Sequence, residues 1–349
     1  MSPAGAALVS GLVVLGMVVV LPLGLRLLGP DVVPAARSVA WPLAGVAGAA
    51  AVVLPHGTVS VLLALVFAAA TVVLAGAGAR LAVRTVRDVR DGRVAAAGLA
   101  SRAATATALV MPAVGASALV AERAGWGLLG FSGTYLALTV PHMLYAGFGA
   151  ALVAGTVAHL AVTDRLAVAG AWGVPVGTVL VLAGYFVGDV AELVGAGVLT
   201  LALWATAVAA VRSLARTPGP ARPVGGAGPD DVHPVDGPHP TGSLGTGSTA
   251  GARALLGTGA VVVGLSMVLA LWWAGGEALG FAHPSLDVMA ATHGVANALG
   301  FVLCTLLGLR GLAARSAPPH EGECADEARG DAGQDTTRGP GRAPEGSAA

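Results

Sequence analysis

A histidine and an asparagine four residues apart, His293 and Asn297, lie inside the last long apolar run of the chain, 286–310. Neither side chain is soluble in hydrocarbon, so each needs a partner at that depth, and groups of this kind mark functional sites by default. Two earlier runs carry groups that could supply one: His142 and Tyr145 in 134–158, and Asp189 and Glu192 at the head of 190–211. His142, Tyr145, Glu192, His293 and Asn297 are therefore the candidates for binding a small polar ligand or ion, or for handling a proton. Two imidazoles and a carboxylate, from His142, His293 and Glu192, also form a donor set that zinc, iron or copper accepts. They come from three separate runs, and no local ligand motif joins them. No Walker sequence, dinucleotide fingerprint or HExxH is present, so no catalytic residue is identified.

The rest of the chain fixes where these groups sit. Of its 349 residues 55% are hydrophobic and only 11% charged, with a mean hydropathy of +0.79. Folded in water, such a chain would expose large apolar surface, so its expected partner is a lipid bilayer. The 52 glycines suit helices that pack closely without a hydrophobic drive between them. Alternating ten-residue strands are absent, which argues against a membrane barrel. A formal net charge of zero argues against nucleic acid as a partner. Cys304 and Cys324 fit neither a ligand spacing nor a disulfide framework, and both are read as unpaired.

Nine apolar runs are long enough, or nearly so, to cross a membrane: 5–28, 39–54, 59–79, 103–121, 134–158, 167–187, 190–211, 254–273 and 286–310. The expected fold is an all-α integral membrane protein, a polytopic bundle of about nine transmembrane helices. Residues 1–211 hold the first seven, with a basic loop at 80–102. A Pro/Gly-rich stretch, 212–253, reads as a disordered linker. The last two helices occupy 254–312, and 313–349 reads as a disordered tail. Cytoplasmic loops near membrane ends accumulate arginine. With the N-terminus outside and the C-terminus cytoplasmic, every arginine except Arg123 falls on the cytoplasmic side. Trp126, Tyr185, Trp272 and Trp273 then gather at the outer edge, as an interfacial aromatic belt would.

This threading predicts depth. His142 lies about eight residues into a helix entering from outside, hence about 12 Å down at about 1.5 Å per residue. His293 lies at a similar level, and Glu192 begins a third helix nearer the surface. His142, Tyr145 and Gly149 share one helical stripe, as do His293, Asn297, Gly300 and Cys304. Each histidine thus shares a face with a glycine, and that face is expected to meet another helix rather than lipid. Pro141 removes a backbone hydrogen bond and should kink or open its helix beside His142. Plainer readings stand beside these: a histidine bonded to a neighbouring helix for structure alone, a Glu192 simply in interfacial water, a Tyr145 that only packs.

The segments Thr139-Val140-Pro141-His142-Met143-Leu144-Tyr145-Ala146-Gly147-Phe148, Thr292-His293-Gly294 and Asn297-Ala298-Leu299-Gly300-Phe301 resemble the YndJ-like family of bacterial membrane proteins. That family carries an HFHYAGF-type segment mid-chain and an HGxxNAxGF segment in its final helix, and Gly188-Asp189-Val190-Ala191-Glu192 resembles its acidic position between them. Leu144 stands where the family segment has its second histidine. The resemblance implies a multi-pass protein of the bacterial cytoplasmic (inner) membrane and implies no particular activity or cofactor. Three functions stay open: a binder of a small polar ligand, ion or proton; a membrane enzyme using the histidines for metal or haem; and a structural or assembly protein with no ligand.

Overall fold

Each apolar run becomes a helix because hydrocarbon offers backbone N–H and C=O groups no partner except one another. The structure is a computed structural model that describes residues 1–93, 96–216 and 247–313. Among the described residues nine helices follow in chain order: α1 (Pro3–Leu25), α2 (Ala40–Val53), α3 (Thr58–Arg90), α4 (Ala96–Ala124), α5 (Thr134–Leu160), α6 (Arg165–Val187), α7 (Asp189–Arg216), α8 (Gly247–Leu279) and α9 (Leu286–Ala313). Among the described residues there is no strand, only an isolated bridge between Leu128 and Phe131. Met1–Leu312 form one unit; the second unit, Ala313–Ala349, lies outside the described residues after its first residue.

Eight of the nine helices are long and apolar enough to cross a membrane, and the chain is a multi-pass membrane protein. The ninth expected span, α2, has only 14 residues. At about 1.5 Å per residue it covers about 21 Å of the roughly 30 Å of hydrocarbon. The two glycine- and alanine-rich helices α4 and α5 form the core, with 61% and 72% of their most apolar 18-residue stretches buried, against 28% for α3 and for α8. Around that core α3 pairs with α4, α6 with α7, and α8 with both α7 and α9, while α1 packs on α2, α5 and α9. The α6–α7 hairpin turns on a single residue, Gly188, whose φ of 135° is open to glycine and strained for other residues.

Two expected loops differ from expectation. The basic stretch 80–102 is helical to Arg90, where Gly92 at φ 68° terminates α3 and Arg93 N–H closes on the Asp88 carbonyl at 2.8 Å. Arg102 then pairs with Asp88 at 2.6 Å, and Arg93 pairs with Asp88 and Asp91. A helix needs no apolar residues once it has left the bilayer, so the end of the hydropathy run did not mark the end of the helix. Likewise α7 runs on to Arg216 and α8 begins at Gly247, which narrows the expected linker 212–253 from both sides. The remainder of that linker, the tail after Ala313 and Cys324 lie outside the described residues; Cys304 is a free thiol.

All described arginines but one sit at the end of the bundle where α1, α3, α5, α7 and α9 finish. Arg123, the exception, has a structural task at the opposite end. Its guanidinium Nη1 donates to the carbonyls of Ala51, Val52 and Leu54 at 3.3–3.4 Å, while its other nitrogens hold Glu122, which also meets His56 Nε2 at 3.0 Å. The arginine thereby closes the C-terminal carbonyls of the short α2, where a cation also complements the helix dipole. Replacing it, Arg123→Met, is expected to cost about 1–2 kcal/mol, read as a lower midpoint in thermal unfolding of the detergent-purified protein, whereas Arg90→Met should leave the midpoint unchanged.

Candidate functional site

The two histidine-bearing helices both enter from the end where α1 begins. His142 comes eight residues after Thr134, and His293 comes seven after Leu286, so both lie about 10–12 Å along their helices. At that level three helices depart from α geometry. In α1 the segment Gly16–Val20 is π-helical, in α5 Met143–Gly149, and in α9 Ala290–Gly294 and Ala296–Leu303. The π segment of α5 packs against those of α1 and α9, and the latter two also meet each other. Wide i→i+5 turns of this type are rare and recur at functional sites. In α5, Pro141 has no N–H to return to its preceding turn, and π turns follow directly after His142.

Close approach is achieved through the predicted glycines. A Cβ on Gly149 would stand 2.6 Å from Val302 of α9, and one on Gly300 would stand 2.7 Å from Val262 of α8, so neither position admits a side chain without movement. The stripes that carry the two histidines do therefore face neighbouring helices at their glycines.

Tyr145 is buried, and its hydroxyl donates to the carbonyl of Leu12 in α1 at 2.7 Å. That carbonyl already accepts Gly16 N–H at the entrance to the π segment, and its second lone pair serves the tyrosine. Gly294 approaches the Leu12 side chain from the other side, at 3.5 Å from where its Cβ would be. Both motifs thus converge on one turn of α1.

His293 and Asn297 form a network with α8. His293 Nδ1–H donates to the Ser266 carbonyl at 2.8 Å, which leaves Nε2 as an acceptor, and Asn297 Nδ2–H lies 3.0 Å from it. Ser266 Oγ–H, almost fully buried, donates to Asn297 Oδ1 at 2.8 Å, closing the loop. Both ring nitrogens of His293 are engaged. His142 differs: Nδ1–H donates to the Leu138 carbonyl of its own helix at 3.0 Å, Nε2 has no partner among the described residues, and the residue is exposed on the protein surface. The two imidazoles lie within electrostatic reach of one another.

Glu192 stands apart from the histidines. Its neighbours are Tyr185, Asp189 and Glu277, the last of which pairs with His283 Nε2 at 3.2 Å. Phe131 stacks near the same corner, with Tyr185 and Phe186 at ring distances of 6.1 and 5.5 Å. Among the described residues no group of three His, Cys, Asp or Glu is arranged to hold a metal ion, so His142, His293 and Glu192 do not form one ligand set. Ser266 was absent from the sequence-derived candidates. The signal existed, since a serine in the middle of the 254–273 run meets the same criterion of a polar group at membrane depth. The Leu12 carbonyl gave no signal at all, because every residue has one.

Removing the phenolic hydroxyl, Tyr145→Phe, is expected to cost about 1 kcal/mol, since interhelical hydrogen bonds in bilayers average about 0.6 and reach about 1.7 kcal/mol. The readout is the midpoint of thermal unfolding in detergent; an unchanged midpoint would mean that the Leu12 contact contributes nothing.

A family model described as YndJ-like protein matches residues 11–223 and 241–301, which takes in most of α1, all of α2 through α8 and both histidine motifs. A search of the curated proteins and a search of the solved structures find no match. With most of its length matched, from the first helix to Phe301 in the second motif, the chain belongs to the YndJ-like protein family.

Proposed function

We propose that this YndJ-like protein resides in a bacterial cytoplasmic membrane, threaded with its N-terminus outside and its arginine-rich end in the cytoplasm, and that the polar cluster of its outer half receives a proton or a small polar ligand. His142 is the receiving group, because its Nε2 keeps a lone pair and its ring is exposed. Tyr145 fixes α5 against α1, and the Ser266–Asn297–His293 network fixes α9 against α8, so that the second imidazole is held close by. Glu192, at the α6–α7 corner, lies in the same outer half but away from the two imidazoles. The single observation that carries this reading is the mutual packing of three π-helical segments beside the two histidines.

One observation favours a second, structural reading for part of the cluster: both nitrogens of His293 already have protein partners, as a helix clamp would require. Diethyl pyrocarbonate, which acylates an imidazole nitrogen bearing a free lone pair, separates the two. At pH 7, in protein reconstituted into vesicles, His142 is expected to be modified at a rate within about tenfold of the exposed His56, and His293 to resist. Should His142 resist while His56 reacts, its ring faces acyl chains and the proposed site does not exist.

The threading is tested on a background in which Cys304 and Cys324 are serine. A membrane-impermeant maleimide added to spheroplasts should label His56→Cys at once and Asp91→Cys only after permeabilisation. The reverse pattern would overturn the orientation, and with it the outer placement of the cluster.

A further inference from the structure

The arginines of α3 do more than end a membrane span. Where α3 leaves the apolar layer, the connection between α1 and α2 folds back against it and leaves a cavity of about 40 Å³, lined by Asp31, Val32, Pro34, Arg80, Leu81 and Arg84. By the measure that one water needs about 10–15 Å³, this admits a few waters or the oxygens of one phosphoryl group. Arg84 Nη1 donates to the Asp31 carbonyl at 3.3 Å, which pins the guanidinium at the rim, and its other donors have no partner among the described residues. Arg80 has neither a hydrogen bond nor an ion pair among the described residues, and the same holds for the Asp31 carboxylate. Both arginines are exposed.

Charge and position together select the ligand. Two guanidinium groups and one carboxylate leave a net single positive charge around the cavity, which matches a monoanion better than a dianion. Arg80 directly follows the apolar run 59–79, so it stands at the level where headgroups begin. Along the helix, Val73, Arg80 and Arg84 fall at i, i+7 and i+11, on one stripe. Val73 is 60% exposed, with Val72 beside it at 62%, so an apolar surface lies directly beneath the two charges. An anionic head above an apolar track is the pattern of a phospholipid: a phosphodiester carries one negative charge, and its acyl chain continues along the helix. Guanidinium donors suit phosphate oxygens.

We propose that this cavity is a binding site for the phosphodiester of an anionic phospholipid, held by Arg80 and Arg84 with its acyl chain along Val72 and Val73. The site does not depend on which way the protein is threaded, nor on the role of the histidines.

The experiment uses the full-length protein in nanodiscs of mixed phosphatidylglycerol and phosphatidylcholine, extracted into mild detergent and weighed by native mass spectrometry to count retained lipid. Wild-type protein should retain phosphatidylglycerol over phosphatidylcholine. Arg80→Gln and Arg84→Gln should each reduce that retention about fivefold, since a surface arginine near anionic lipid is worth about 1 kcal/mol, while Arg90→Gln should not. Asp31→Asn, which removes the opposing charge and leaves both arginines in place, should raise retention; this variant keeps the test independent of any folding defect in the arginine variants. Equal retention of the two lipids, or no response to Asp31→Asn, would overturn the proposal. Displacement of phosphatidylglycerol by millimolar inorganic phosphate would also overturn it, by reassigning the cavity to free phosphate.

Discussion

A backbone carbonyl has a second lone pair that finds no water inside a bilayer, and this chain repeatedly serves carbonyls with side chains from elsewhere. Tyr145 serves Leu12, His293 serves Ser266, Ser101 serves Gly155, Trp204 serves Gly264, and Arg123 serves the last turn of α2. In each case the donor comes from a different helix than the acceptor. Polar side chains here are thus less a set of paired side chains than a set of bolts driven into neighbouring backbones. The bonds fix which helices lie together and at what height, a task that apolar contact alone performs weakly when lipid is as apolar as the protein.

The π segments fit the same logic. The Leu12 carbonyl, at the entrance to the first of them, keeps its ordinary bond from Gly16 N–H and offers its second lone pair to Tyr145. Three such segments packed together make the region beside the histidines less regular than the surrounding bundle. Irregular backbone at membrane depth persists where it is enclosed by protein or lines a polar space. The buried Ser266 and the half-buried Asn297 enclose one flank, whereas His142 is exposed on the other.

Much of this architecture was legible in the sequence. All nine apolar runs became helices, with ends displaced only where hydropathy and helicity part company, as at Arg80–Arg90 and Arg212–Arg216. Gly149 and Gly300 do meet neighbouring helices, as their stripes suggested, whereas His142 on the same stripe as Gly149 lies exposed, and α5 runs on through Pro141 with π turns after it. The placement of Glu192 was not legible, because the pairing of α6 with α7 turns its head toward Tyr185 and Glu277, and no periodicity within one helix reveals its neighbours. Ser266 was legible in principle, since its isolation in an apolar run is the same signal that drew attention to the histidines. The acceptors, being backbone, carry no letter in the sequence at all.

The shortness of α2 has a bearing on the lipid around the protein. A helix about 9 Å shorter than the hydrocarbon layer, sealed by a guanidinium at its end, gives the adjacent acyl chains nothing apolar to rest on over that last stretch. A leaflet lying against the free side of α2 would have to dip toward Arg123 to match it, leaving a dimple on that flank. Hydrophobic mismatch of this kind costs fractions of a kcal/mol for each ångström, enough to favour thinner regions of a membrane or to draw two such flanks together.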